Sequence, residues 1–342
     1  MAKNTAQTYK QNSNMNYYRT IKQRFFLILF FQSAFSLISF SQDFSDLKHM
    51  NVKGKARIIT VFDYYLELEG GKPVKGKSGG KSVAIYNKVG ELITKTDYKS
   101  STKIYCKYTS KFDSKNNKIQ ENINYPDDSS FNSKTTYKFD NLNSLIEQND
   151  YQQNDTYSHK QIFKYDNLGN KIEVDYYPNS MVDTFRSKSI FKYFDDGRHV
   201  EEREYSWCWQ NSNGRKIIDC DENGFKYDGK KDYYYDDKKN LIEYKAYDMF
   251  GKIYSHSVNK FDYNSNLISS SDGLAIKNTY QYDTLNNEVQ RNGFNNGSSL
   301  DWTVKTKYED FDKAGNWQKE TIFYDKTANI KGFIKIRKIE YY

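Results

Sequence analysis

Aspartate recurs along this sequence in a fixed context, directly after an aromatic residue, and a repeated carboxylate is the first candidate for chemistry. Seven segments align on these residues, which are Asp113, Asp140, Asp166, Asp236, Asp262, Asp283 and Asp312. Asparagine follows four residues later in six of the seven segments. A calcium loop needs several oxygen ligands at close spacing, and these segments offer one carboxylate or two adjacent ones. The pattern therefore favours aspartates that cap turns over a metal site.

The residues around each aspartate are typical of a β-hairpin. Aromatic residues alternate before it, as in Tyr137 and Phe139, and so lie on one face of a strand. The aspartate can accept backbone N–H groups of the turn, and Gly or Asn at the third and fourth positions tolerates positive φ. Ile or Val at the sixth position, such as Ile119, is expected to begin the return strand and to pack the hairpin. With two degenerate copies, at Asn87 and Asp195, the array holds about nine repeats.

These repeats predict an all-β fold, in which tandem β-hairpins form an elongated, twisted or coiled antiparallel meander sheet. Roughly 16–20 strands are expected from two strands per repeat. Alternation predicts an opening strand from Lys55 to Glu69 and a closing strand over 333–342. The Gly- and Lys-rich stretch over 70–81 is expected to be a mobile loop.

The composition supports a sheet that has both faces exposed to water. Of 342 residues, 17% are aromatic, with 32 Tyr, whereas only 37% are hydrophobic. Tyrosine offers a ring for packing and a hydroxyl for water. The formal charge is +8, but residues 1–41 carry five basic residues and no acid, so the remainder carries only +3. The charge therefore gives no support to nucleic-acid binding.

The N-terminus is typical of an export signal. Arg19, Lys22 and Arg24 precede an apolar run that begins at Phe25, and Ser39-Phe40-Ser41 supplies small residues at a cleavage point. We expect a signal peptide over 1–41, cleaved near Ser41-Gln42, with Met15 as a possible start. The alternative is a membrane anchor, although the run is interrupted. The mature chain, 42–342, is then one repeat array without a transmembrane segment, located in the periplasm, on the outer-membrane surface or outside the cell.

An insertion over 206–225 interrupts the array and holds the two candidates for a binding site. Trp207 and Trp209 alternate there and could stack on sugar rings, or could simply pack between strands. Cys208 and Cys220 could close a small loop in an oxidising compartment, or could be packed thiols.

The motif in YKFDNLNS, FKYDNLGN and YEDFDKAGN resembles the YD repeat of RHS-type proteins. The opening DLKHMNVKGKARIITVFDY also looks like the start of exported repeat proteins from Bacteroidetes bacteria. The resemblance covers about residues 48–342. It implies an extended or coiled sheet of hairpins in an exported or envelope protein, sometimes labelled sugar-binding. It implies no shared catalytic residues.

No catalytic constellation stands out. The four histidines are scattered, and the carboxylates Glu201, Glu202 and Glu204 are typical of a solvated strand. We therefore predict a non-enzymatic exported protein with a structural or binding role at the envelope, without cofactor or metal. Its partner would be an envelope protein or polysaccharide, and not nucleic acid. The alternatives are a carbohydrate-binding module that uses exposed Trp and Tyr, and an enzyme whose site is built from unrecognised strand residues.

Overall fold

The computed structural model describes residues 47, 52–99, 102–178, 187–207, 220–221, 223–272, 276–295, 299–326 and 329–342. The chain divides into two units, Met1–Gln42 and Asp43–Tyr342, and the described residues all belong to the second. The predicted signal peptide lies outside them. In the described part no helix is long and apolar enough to cross a membrane.

Twenty β-strands and two short 3₁₀ turns, Ser129–Phe131 and Gln153–Asp155, make up the described unit. The strands are β1 Ala56–Glu69, β2 Lys72–Tyr86, β3 Leu92–Tyr98, β4 Ile104–Phe112, β5 Lys118–Asn124, β6 Ser133–Phe139, β7 Leu145–Gln152, β8 Thr156–Tyr165, β9 Lys171–Pro178, β10 Ser187–Tyr193, β11 His199–Trp207, β12 Phe225–Tyr235, β13 Leu241–Asp248, β14 Ile253–Phe261, β15 Leu267–Ser271, β16 Lys277–Tyr282, β17 Glu288–Asn295, β18 Ser299–Phe311, β19 Trp317–Lys326 and β20 Asn329–Tyr341.

The sheet closes on itself. Each strand pairs antiparallel with the next along the chain, and β20 pairs with both β19 and β1. At this seam Ile59 faces Ile339 from β20 on one side and Ala84 from β2 on the other. The predicted elongated meander is therefore wrong: the fold is a closed antiparallel β-barrel of twenty strands. Closure satisfies the main-chain N–H and C=O groups that two free edges would expose.

An apolar cluster holds the seam. Ile59, Ala84 and Tyr86 are buried there, together with Leu47, Val52 and Ala56 from the segment before β1 and its first residue. Val61, Leu92 and Ile339 pack against them. A closed sheet of this many strands is wide enough to hold water inside.

The stretch expected to be a mobile loop is a strand instead. Gly70 and Gly71 both have positive φ and form a tight two-residue turn. The chain then pairs with β1 from Glu69–Lys72 onward, with register shifts near Tyr64. Lysine and glycine are poor strand formers, but here a long partner strand supplies the pairing that the local sequence does not favour.

The sheet has two chemically different faces. Residues paired across the strands share a face, which assigns Tyr137, Phe163, Phe191 and Tyr233 to one face, here called the aromatic face. The alternating residues form the other, here called the lysine face. Buried aromatic residues lie on the first face, and exposed lysines lie on the second. Side chains converge on the concave side of a closed sheet, so we assign the aromatic face to the interior.

The Ile at the sixth position does not pack the hairpin as expected. Ile119, Ile172 and Ile268 lie on the lysine face and are more than one-third exposed. The residue before each of them pairs across the hairpin, after a one-residue register shift, with the aromatic residue that precedes the aspartate. The bulge therefore moves the fifth position, and not the sixth, onto the aromatic face.

Candidate functional site

The recurrent aspartates stand at nearly every other connection, all at one end of the barrel. In each of the seven turns, Oδ1 of the aspartate accepts the backbone N–H of the residue four positions later, at 2.8 or 2.9 Å. These aspartates are Asp113, Asp140, Asp166, Asp236, Asp262, Asp283 and Asp312. For Asp166, the hydrogen bond from the Asn170 side chain is the main cause that lowers the pKa of the carboxyl. Each of these carboxylates thus stabilises the turn that contains it.

The third position after the aspartate carries the backbone strain. Its φ is +81° at Gly169, +67° at Asn116, +67° at Lys239 and +64° at Ser265. This is the left-handed conformation that closes a hairpin with a bulge, and only glycine adopts it without cost. Lysine and serine at two of these positions therefore sit where glycine would be favoured.

Asparagine side chains link neighbouring turns into what we call the turn rim. Asn117 Nδ2 donates to its own Asp113 Oδ2 at 3.0 Å and to Asn143 Oδ1 of the next turn at 3.3 Å. Asn240 bridges in the same way to Ser265 Oγ, and Asn266 to Asn286 Oδ1, both at 3.2 Å. At these three turns the fourth-position asparagine links its hairpin to the following one, which gives a physical reason for its recurrence.

Tyrosine hydroxyls make a second set of links on the aromatic face. Tyr165 donates to the Leu145 carbonyl and Tyr193 to the Lys171 carbonyl, both at 2.7 Å. Tyr282 donates to the Leu267 carbonyl at 3.0 Å. In each case the acceptor is the fifth-position residue of the preceding hairpin, whose bulge interrupts the ladder there. These hydrogen bonds make each of the three repeats depend on its neighbour.

The fifth position is where the repeats differ most in chemistry. Four hairpins place an aliphatic residue there, namely Leu92, Leu145, Leu241 and Leu267. Two successive hairpins instead place Lys171 and His199. Lys118, Glu288 and Trp317 occupy the same position in three further hairpins, and the four leucines are half-buried.

Lys171 is the least favourably placed of these groups. It is 3% exposed, and its Nζ has no hydrogen-bond partner. Nζ lies over the rings of Phe191 at 4.6 Å and Phe163 at 5.9 Å. Burial lowers the pKa of this amine to about 7, and the charge of Glu202 opposes the shift only in part. Near neutral pH the side chain is therefore divided between its charged and neutral forms.

The titratable groups next to Lys171 are engaged with one another. Tyr233 donates its hydroxyl to Glu202 Oε2 at 3.1 Å, and Lys231 Nζ lies 3.4 Å from Glu202 Oε1 and 2.6 Å from Glu204 Oε1. The His199 ring lies 4.4 Å from that of Tyr233, and burial lowers the pKa of His199. These carboxylates are thus engaged by the side chains of Tyr233 and Lys231.

Ion pairs also recur on the lysine face. Lys138 lies 2.6 Å from Glu147, and Lys192 lies 2.9 Å from Glu201, directly across their hairpins. Lys164 pairs with Glu173 at the same position of the hairpin between them. The lysines are more than half exposed, so each pair contributes at most about 1 kcal/mol. These lysines place charge at the next-to-last residue of their strands, and the paired Arg203 and Lys230 place charge near the middle of β11 and β12 on the same face.

Only some of the residues predicted to bind a ligand or to form a disulfide are among the described residues. The backbone of Trp207 ends β11, whereas Cys208 and Trp209 lie outside the described residues. Cys220 is disulfide-bonded and Cys106 is a free thiol. The Cys208–Cys220 bridge and the sugar-stacking role of the two tryptophans stay predictions. Among the described residues, no group of three His, Cys, Asp or Glu side chains could hold a metal ion.

Sequence comparison finds no match to a protein-family model or to a curated protein. Among solved structures, the chain is similar to a TcdB2-TccC3-Cdc42 structure at 10% identity. The match covers 84% of this chain and 18% of that chain, with a TM-score of 0.39. It is also similar to porin-like proteins from Bacteroides uniformis (10% identity, 84% and 98% covered, TM-score 0.32) and Bacteroides vulgatus (11%, 84% and 99%, 0.26). The chain thus spans less than a fifth of the TcdB2-TccC3 chain. At such low identities and TM-scores these likenesses carry no functional argument, and closure rests on the strand register.

Proposed function

We propose that this protein is a non-enzymatic component of the cell envelope, whose closed sheet stands in water and offers its faces as a scaffold or binding surface. The observation that carries the proposal is the presence of charged residues in the middle of strands on both faces. Arg203, Lys230 and Lys245 lie on the lysine face near the middle of β11, β12 and β13, and Glu202 and Lys231 lie on the aromatic face. A lysine or arginine facing lipid at mid-membrane costs about 2–4 kcal/mol. A barrel wall with such charges is therefore unsuited to the hydrocarbon layer.

The engagement of the side chains supports a role without catalysis. Turn aspartates bind their own backbone, rim asparagines bind the next turn, and half-buried tyrosines bind the preceding bulge. These polar groups thereby hold hairpins together, and those named here in the described part of the chain are engaged in structural hydrogen bonds. The proposed kinship with YD-repeat proteins agrees with this use of the motif.

Cell fractionation of a host that exports the full chain tests the proposal. We expect the protein in the envelope or periplasmic fraction, released by alkaline carbonate and soluble without detergent. Retention in the membrane after carbonate, with a requirement for detergent, would show a lipid-embedded barrel and refute it. An integral outer-membrane protein of the host, which alkaline carbonate does not release from the membrane, serves as the internal control.

Carbohydrate binding is the second candidate, favoured by the position of Trp207 at the last residue of β11, where the chain leaves the sheet. Tryptophan fluorescence titrated with diverse polysaccharides tests it, with Trp207→Ala and Trp209→Ala as the informative variants. Loss of the signal in both variants supports a sugar platform. An unchanged titration, or no response in the unmodified protein, excludes one at these residues.

A further inference from the structure

A cavity of about 200 Å³ opens at the seam, between the last hairpin and the segment that precedes β1. Its lining includes Arg337 of β20, Lys53, Trp317 at the start of β19, and Asn286 and Asn287 of the neighbouring turn. The cavity thus stands at the one place where the two ends of the array meet. No role of the repeat motif accounts for it.

Arg337 is the central group of this cavity. It is 4% exposed, its Nε donates to the Trp317 carbonyl at 2.9 Å, and its guanidinium lies 3.7 Å from the centre of the Trp317 ring. Its two terminal amino groups make no hydrogen bond to the described protein. They are not sealed off, because the fully buried side-chain atoms without partners in the described part are Lys171 Nζ and Thr321 Oγ1. The free edge of the guanidinium therefore reaches the cavity.

The acids around Arg337 are already occupied. Glu320 pairs with Lys335 at 3.0 Å. Asp312 accepts the N–H groups of its own turn. Glu288, which lines the cavity, receives two hydrogen bonds from Arg291, at 2.9 and 2.8 Å. Burial lowers the pKa of Arg337, as expected where a cation is desolvated without a carboxylate in contact.

A second cation borders the same space. Lys53 is exposed and makes no ion pair within the described part of the chain. Its backbone is fixed, since its N–H donates to Asn316 Oδ1 and its carbonyl accepts from Asn316 Nδ2, both at 2.8 Å. The backbone of Lys53 is therefore fixed beside the cavity, while its exposed ammonium group forms no ion pair within the described part of the chain.

We propose that this seam cavity binds a carboxylate group, which accepts two hydrogen bonds from the terminal amino groups of Arg337 and is attracted by Lys53. A guanidinium presents two parallel donors that match the two oxygens of a carboxylate. Nε is already used, so the carboxylate binds end-on, with the Trp317 ring as the floor beneath the guanidinium. The site stands on its own residues and does not require the envelope role proposed above.

Titration calorimetry of the full mature chain in low-salt buffer tests the site. The probes are galacturonate, as an acidic sugar, and N-acetylglycine, as a peptide carboxylate, with neutral galactose as the control. We expect a Kd on the order of 1 mM for at least one carboxylate and no binding of galactose. The preferred carboxylate then tells an acidic sugar from a peptide end.

Three variants separate the site from surface charge. Arg337→Gln is expected to weaken binding at least about tenfold, and Lys53→Gln about threefold. Arg57→Gln removes an arginine that is half exposed and paired with Glu340, and should leave affinity unchanged. Lys53 is exposed, so its variant folds even if Arg337→Gln does not. No binding of either carboxylate at about 100 mM, or equal affinity in Lys53→Gln and the unmodified protein, would overturn the proposal.

Discussion

Replacement of Lys171 by leucine should stabilise the protein. Four other hairpins carry leucine at the same bulge position, so the backbone accepts it. An unfolded lysine has a pKa near 10.4, whereas burial lowers the pKa of Lys171 to about 7. Because the unfolded chain binds this proton more tightly than the folded chain, burial of the lysine lowers the free energy of unfolding. This penalty has its full value below pH 7 and disappears as the pH rises towards 10.4. The linkage relation gives a penalty of about 4 kcal/mol at pH 7 and about 2 kcal/mol at pH 9.

Leucine does not recover all of this free energy. It loses the contacts that the lysine stem and ammonium make with Phe163 and Phe191, and it fills the space less completely. We expect Lys171→Leu to raise the free energy of unfolding by about 2 kcal/mol at pH 7. At pH 9 the penalty of the lysine is about 2 kcal/mol smaller, so the substitution should leave the free energy of unfolding nearly unchanged. Denaturant unfolding at the two pH values, followed by tryptophan fluorescence, measures both numbers.

Lys111→Leu is the matched control. Lys111 lies exposed on the lysine face, so its replacement should change stability by no more than about 0.5 kcal/mol at either pH. If Lys171→Leu destabilises the protein at pH 7, or if its effect is the same at both pH values, Lys171 is not a buried, proton-linked group and the reasoning is refuted.

Three further substitutions test the coupling between hairpins, each by its shift in denaturant midpoint. Lys239→Gly should stabilise by about 0.5–1 kcal/mol, because residue 239 has a φ of +67°; an unchanged midpoint would contradict a strained turn. Tyr193→Phe should cost about 1 kcal/mol, since the hydroxyl bonds the Lys171 carbonyl, whereas Tyr234→Phe on the exposed face should cost nothing. Gly229→Ala should cost about 3 kcal/mol or more, because its Cβ would lie 2.1 Å from a carbonyl oxygen of the next strand; a tolerated alanine would show that the strands are spaced differently there.

Local structure could be predicted from the sequence because each hairpin is encoded within a few residues. Asp166 and Gly169 are enough to indicate a capped turn with a positive φ, and the alternation of Phe163 and Tyr165 indicates one strand face. Closure could not be predicted in the same way. Closure depends on the pairing of Ile59 with Ile339, which lie 280 positions apart in the sequence. The same hairpins would also suit an open sheet. The register shift at each bulge also exchanged the expected roles of the fifth and sixth positions.

The two most unusual charged groups escaped sequence reasoning for different reasons. Lys171 had a visible signal, since leucine occupies its position in four other repeats. Arg337 had none, because in the closing strand it alternates like any solvated arginine. Its burial follows only from closure, which brings β20 beside β1 and places Lys53 at the same cavity.

Closure of the barrel is tested most directly by a disulfide across the seam. Thr60 pairs with Lys338, and paired antiparallel residues have Cα atoms about 4.5–5.5 Å apart, within disulfide range. The double variant Thr60→Cys, Lys338→Cys should cross-link within one molecule under mild oxidation, whereas Thr60→Cys, Lys307→Cys, with the second cysteine on a non-adjacent strand, should not. A seam pair that stays reduced, or that links only separate molecules, would show an open sheet and contradict the closed barrel.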